Sequence, residues 1–216
     1  MIKAVMFDLD GTLADSLESI SSAGNKVLME FGFEPLPKEN YKYYAGDGAA
    51  VLVERCLKDA GDKELKHYEA VYARYQEIFK EDCTYKVSAF TGMPETLRKL
   101  KEKNIRLAVI SNKPHERALD VVKRLFEPEL FDCVLGLKEG QKRKPDPNGA
   151  LMAAKQFDAK PEECLFVGDT NVDMQTGRNA GMIKVGVLWG FRTKEELEEN
   201  GADYIISTPE ELMKIV

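Results

Sequence analysis

Six short apolar runs recur along this chain, and from about residue 94 the intervals between them settle to the length of one helix each. Lys3–Phe7, Ile105–Ile110, Asp132–Leu137, Cys164–Val167, Ile183–Leu188 and Tyr204–Ile206 are dominated by β-branched and other apolar residues, without sustained polar alternation. Runs of that kind suit strands covered on both faces. Between them, residues 94–103, 115–126, 147–157 and 171–180 read as helices, with Pro94 suited to a first helical turn. Thr193 with Glu196, and Thr208 with Glu211, fit capping boxes that would open the last two helices. Strands alternating with helices in this way predict an α/β protein with a doubly wound parallel sheet, a Rossmann-like core.

The first interval breaks the rule. No strand pattern appears between about residues 15 and 84; helical spacing is found instead over 15–33, 38–60 and 64–82. Leu65, Tyr68, Tyr72, Tyr75 and Phe79 share one face of the third segment and are expected to form the block's own core. The chain of 216 residues therefore divides into a core over 1–14 and 85–216, and an inserted α-helical domain over 15–84.

Composition narrows the function classes. Hydrophobic residues at 44% and charged residues at 31% are ordinary for a soluble globular protein. A net charge of -6 argues against a nucleic-acid partner, and the densest basic run, Lys142-Arg143-Lys144, is too short for a nucleic-acid patch. No apolar stretch approaches the ~20 residues of a membrane span. Met1-Ile-Lys leads into the first strand without the marks of a signal peptide, so a cytoplasmic location with no membrane partner is expected. Cys56, Cys83, Cys133 and Cys164 form no C-x-x-C pair, which indicates neither a zinc site nor a disulfide framework. His67 and His115 are isolated, which weakens any Ser-His or Cys-His mechanism. Oligomeric state leaves no mark on the sequence.

Chemistry collects where the strands end. In open parallel sheets ligands bind outside the C-terminal ends of the strands. The first strand delivers Asp8 and Asp10, whose i, i+2 spacing starts them in one direction before Gly11 turns the chain. Two carboxylates that close are most simply reconciled by a bound cation. A second strand ends in Ser111-Asn112, and a third in Gly168-Asp169, with Asp173 four residues on. Lys144 stands before Pro145-Asp146-Pro147, where two prolines stiffen the backbone.

Together these residues resemble the haloacid dehalogenase superfamily, and within it the magnesium-dependent phosphatases. Asp8-Leu-Asp10-Gly-Thr12 is similar to the family's first motif, Ser111-Asn112 to the second, Lys144 to the third and Gly168-Asp169-Thr-Asn-Val-Asp173 to the fourth. The resemblance covers the whole chain, the helical insert matching the family's cap. It implies that Asp8 is the nucleophile and forms an aspartyl-phosphate, and that Asp10 is the general acid and base. It also implies a Mg²⁺ site made by Asp8, Asp10 through its backbone carbonyl, Asp169 and, by way of metal-bound water, Asp173. Ser111 and Lys144 would hold the phosphoryl oxygens, with Thr12 and Asn112 beside them. Gly46 and Gly48, in the loop Ala45-Gly46-Asp47-Gly48, are similar to a glycine-rich cap loop of phosphoglycolate phosphatases and would meet the substrate. The expectation is a phosphatase of small phosphorylated metabolites, with 2-phosphoglycolate leading. A pyrophosphatase or nucleotide phosphatase is the alternative, ahead of a phosphomutase or a non-catalytic phosphate-binding protein.

Overall fold

The computed structural model describes residues 1–216. Along the core run β1 (Ala4–Phe7), β4 (Arg106–Pro114), β5 (Cys133–Leu137), β6 (Cys164–Gly168), β7 (Ile183–Val187) and β8 (Tyr204–Ile206), all parallel, in the order β5-β4-β1-β6-β7-β8. The predicted doubly wound sheet is therefore present. Its first strand lies at the centre, between β4 and β6.

The period of two in β1 builds a layer on each side. Val5 and Phe7 enter one hydrophobic cluster with Leu97 and Leu100 of α5 (Met93–Glu102) and Val121 of α6 (His115–Leu125). Ala4 and Met6 enter another with Ala150, Ala153 and Ala154 of α7 (Asn148–Gln156) and Ala180 of α8 (Asn171–Ala180). All four β1 side chains are fully buried, as an unalternating apolar strand requires.

The segment between β1 and α5 is a helical block with a cluster of its own, built on Leu28, Tyr41, Leu57, Val71, Tyr75 and Phe79. It holds α1 (Leu17–Glu30), α2 (Tyr41–Tyr44), α3 (Ala49–Asp59) and α4 (Tyr68–Asp82). A two-residue antiparallel ribbon, β2 (Ala14–Asp15) with β3 (Ser88–Ala89), joins the two chain crossings at its base; it is too short to leave a sequence pattern. The helix expected over 38–60 is in fact broken at Ala45–Gly48, because Gly46 and Gly48 take φ of +109° and +89°. The helix expected from residue 64 begins at Tyr68. Leu65 adopts a φ of +58°, and the Asp62 carboxylate accepts the Lys66 and His67 N–H groups.

Two further expectations change at the edges. β4 does not stop at Ile110 but continues through Pro114, with irregular pairing to β5 after Ile110. The last helix is a 3₁₀ turn over Pro209–Lys214 that Thr208 does not cap, whereas the Thr193 hydroxyl does accept from Glu196 N–H to open α9 (Lys194–Glu199). The four cysteines are free, and no helix is long and apolar enough to cross a membrane.

Candidate active site

Three adjacent strands bring three of the expected residues together. Phe7 pairs with Val109 on one side and Val167 on the other, so Asp8 and Asp169, just past the ends of β1 and β6, come beside Ser111 in the distal part of β4. Asp8 N–H donates to Val167 O at 2.9 Å and fixes where the chain leaves the sheet. Beyond it the backbone closes on itself: Leu9 O accepts from the N–H groups of Thr12, Leu13 and Ala14. Gly11 is required there. Its φ is +85°, and a Cβ would lie 2.3 Å from Asp169 Oδ2.

Asp8, Asp169 and Asp173 are buried, with ligand-type oxygens all within 4.8 Å of one another. Lys144 Nζ, also buried, lies 2.8 Å from Asp8 Oδ1 and 2.7 Å from Asp173 Oδ1. Its contact with Asp8 misses the direction a hydrogen bond needs, so Asp8 Oδ1 is a buried oxygen without a donor. Three carboxylates thus face one ammonium. Burial pushes the Asp8 carboxyl up to about 7 against the pull of Lys144, and burial with the Asp173 and Asp8 charges drives Asp169 well above its ordinary range. Burial works against the Lys144 charge, yet Asp173 and Asp8 outweigh it and hold the ammonium above its usual value. The excess negative charge, the hard oxygen donors and the orphaned Asp8 oxygen all fit a divalent cation.

The carboxylates are not equally available. Asp173 gives one oxygen to Lys144 and the other to the N–H and hydroxyl of Thr170, at 3.0 and 2.7 Å, as the first turn of α8 begins. Asp169 accepts from the Thr12 hydroxyl at 2.7 Å and from Phe191 N–H at 2.8 Å. Thr12, expected among the substrate-binding residues, is fully buried and acts on Asp169 instead. The Asp10 carboxylate stands apart from the trio and takes Lys113 Nζ at 2.9 and 3.1 Å.

A cavity of about 50 Å³ lies between this cluster and the helical block, lined by Asp8, Asp10, Ser111, Asn112 and Lys113 from the core and by Gly46, Gly48, Tyr75 and Phe79 from the block. The aromatic stripe of α4 therefore does two things, packing its own core and lining the cavity. The Ser111 hydroxyl accepts from Lys113 N–H at 3.2 Å, which leaves its proton free to donate into the cavity. Asn112 is a joint: its Oδ1 accepts from Lys144 N–H at 2.7 Å, while its Nδ2 donates to Gly46 O at 3.0 Å and Lys144 O at 3.2 Å.

Two contributions escape a reading of sequence. Lys113 is one; the signal was a lysine beside Ser111-Asn112, but whether it faced water or acid depended on the extension of β4. The other is the stretch after β7. There Trp189 Nε1 donates to Thr12 O at 2.9 Å, Phe191 packs into the block's cluster, and the Arg192 guanidinium donates to Lys42 O and Ala45 O. An aromatic-rich Trp-Gly-Phe-Arg run at a strand end was the available hint.

A parallel α/β core carries this cluster at its central strands, and the relatives of the chain are enzymes of one class, the phosphoric monoester hydrolases. Residues 5–187 match the family model for haloacid dehalogenase-like hydrolases, and the chain belongs to that family; its relatives make it phosphoglycolate phosphatase-like. It is 33% identical over 215 residues to the phosphoglycolate phosphatase of Aquifex aeolicus, covering 100% of this chain and 97% of the relative. A Pseudomonas putida N-acetylmuramic acid 6-phosphate phosphatase is 30% identical over 216 residues, covering 100% and 96%. Among solved structures, a candidate phosphoglycolate phosphatase from Lactobacillus delbrueckii superposes with a TM-score of 0.88 at 34% identity, over 99% of this chain and 97% of the other.

Proposed function

We propose that the protein is a Mg²⁺-dependent phosphatase of small phosphomonoesters that works through an aspartyl-phosphate on Asp8, with 2-phosphoglycolate the leading substrate. The observation that carries this reading is the shared cavity, which Asp8 and Asp10 enter from one loop while Lys144, Asp169 and Asp173 back Asp8 from behind. Asp8 attacks phosphorus through a carboxylate oxygen as the ester bond breaks. Asp10 gives its proton to the departing alkoxide, then takes one from the water that releases phosphate from Asp8. The Ser111 hydroxyl donates to a phosphoryl oxygen, and Lys144 offsets the charge that gathers as anion meets anion. Asp8, Asp169 and the backbone carbonyl of Asp10 would hold Mg²⁺, with Asp173 steadying its waters. Bound there, the metal supplies charge neutralisation for the attacking carboxylate and the phosphoryl group.

In this reading residues 15–84 are a cap that closes over the core of 1–14 and 85–216, with the β2–β3 ribbon at its base, and closure excludes water from the cavity. The small cavity favours a small ester. Both relatives are named for phosphorylated acids, which supports an acidic substrate. Free, dispersed cysteines suit a reducing compartment, and we place the enzyme in the cytoplasm. The test is phosphate release from 2-phosphoglycolate, N-acetylmuramic acid 6-phosphate, pyrophosphate, nucleotides and sugar phosphates, with Mg²⁺ and with chelator. Turnover of 2-phosphoglycolate that disappears with chelator and returns with Mg²⁺ is expected; full activity in chelator contradicts the reading.

A further inference from the structure

Lys113 lies in the distal part of β4, one residue past Asn112, and its side chain is 2% exposed. A buried ammonium persists only where something compensates its charge. Here Nζ donates to both oxygens of Asp10, at 2.9 and 3.1 Å, and sits 4.6 Å from the centre of the Phe79 ring on α4. It occupies the seam between the expected proton donor and the helical block.

The other walls of the cavity give that position its meaning. Two carboxylates line it, Asp8 and Asp10, and one cation, Lys113. Lys144 is engaged behind Asp8 by Asp173. From the helical block Tyr75 is the one polar side chain in the lining; its neighbours there are apolar or glycine. In the phosphatase reading, a phosphoryl group seated against Asp8 with its ester oxygen toward Asp10 would leave the remainder of the leaving group to the other lining residues, Lys113, Tyr75 and Phe79 among them. An uncharged leaving group gains no charge contact from Lys113. An anionic one meets the single cation on the wall.

We infer that Lys113 determines the specificity of this site: in the substrate complex its ammonium bridges Asp10 and a carboxylate on the leaving group, and so sets the preference for acidic over uncharged phosphomonoesters. The inference rests on the phosphatase reading above. A carboxylate suits the site better than a second phosphate: with Asp10 holding the proton it will donate, the one ammonium in a cavity of about 50 Å³ answers one further charge but not two. Tyr75, 2% exposed, contributes the only other polar group on that side.

The experiment compares kcat/KM for 2-phosphoglycolate and 2-hydroxyethyl phosphate in wild type, Lys113→Met and Lys113→Arg, with pyrophosphate as a third substrate. The two esters both release a poor alkoxide and differ in the carboxylate. Truncating one partner of a buried charge pair weakens an interaction on the order of 10²-fold or more. Wild type is expected to prefer 2-phosphoglycolate by about that factor, Lys113→Met to bring the preference within a few-fold, and Lys113→Arg to restore most of it. Should the methionine variant not fold, Lys113→Gln removes the charge while retaining a hydrogen bond to Asp10 and gives the same comparison. Equal losses on both esters with the preference intact would overturn the inference and leave Lys113 as an anchor for Asp10. So would a wild type indifferent to the carboxylate, or one that prefers pyrophosphate. Hydrolysis of none of the three in Mg²⁺ would sink the phosphatase reading and this inference with it.

Discussion

Asp169 shows how a single carboxylate is aimed. Its two oxygens are held by the Thr12 hydroxyl and by Phe191 N–H, from positions 157 residues before it and 22 after it. Groups that orient a metal-binding carboxylate typically matter 10- to 100-fold in metal affinity. Thr12→Val, which keeps the shape and removes the donor, is therefore expected to weaken Mg²⁺ binding by about 10-fold or more with the fold intact. Calorimetric titration of Mg²⁺ measures this directly, and an unchanged affinity would remove Thr12 from the role. The same residue marks what a sequence can tell. Asp8 and Asp169 were legible because strand ends are local features, and Ser111 and Lys144 because they stand in short local motifs; the parallel topology then brings them to one edge of the sheet. Thr12 toward Asp169, and Lys113 toward Asp10, were not legible, because a side chain's direction depends on packing across distant segments. Asp173 was legible as an acid near the site. Its two hydrogen-bonded partners, Lys144 and Thr170, were not.

Between elements, the contacts that matter are made to backbone. Core donors reach carbonyls along residues 42–47 of the helical block: Arg192 takes Lys42 O and Ala45 O, Asn112 takes Gly46 O, and Arg143 takes Asp47 O. The break at Gly46 and Gly48 turns those carbonyls outward, which a continuous helix over 38–60 would have kept inside its own ladder. Arg192→Ala leaves two of them unpaired, at about 1–3 kcal/mol for each buried group. The expected outcome is faster amide hydrogen exchange confined to residues near 41–52 together with a higher KM; unchanged exchange there would show that the Arg192 bonds do not hold the block. A second junction is Asp132, at the entry to β5, which accepts from Lys101, Arg106 and Leu107 N–H. Burial disfavours its charge, but these donors prevail and hold its carboxyl below the ordinary range. A depressed carboxyl stabilises the fold at neutral pH, and that contribution fades as pH falls through the usual carboxylate value and then the folded one. Asp132→Asn should thus lower unfolding stability by about 1–3 kcal/mol at pH 7. The gap to wild type should narrow on acidification below about pH 4, as urea titrations at both ends would record. A gap independent of pH would mean that shape rather than charge is what Asp132 supplies.

At the scale of the molecule, a six-stranded sheet with a helical layer on each face carries the acids, and a block with a separate hydrophobic cluster covers them. Periodicity carries the contrast that suggests such a division: strands and helices alternate after residue 85, and helical spacing alone runs from about residue 15 to 84. The break in the block, the ribbon at its base and the stretch from Trp189 to Arg192 were beyond that reading, since none has a repeating pattern. What the architecture accomplishes is to bury Asp8 against Lys144 while leaving it on the wall of a small cavity shared with Asp10. The central claim is that phosphate passes through Asp8. It is tested most directly by mixing the Asp10→Asn protein with Mg²⁺ and 2-phosphoglycolate, quenching in acid after one turnover, reducing any acyl phosphate with borohydride, and sequencing the peptide by mass spectrometry. Homoserine in place of aspartate at position 8, absent from an Asp8→Asn control, is the expected result; an unmodified Asp8 at every quench time while glycolate is being released would contradict it.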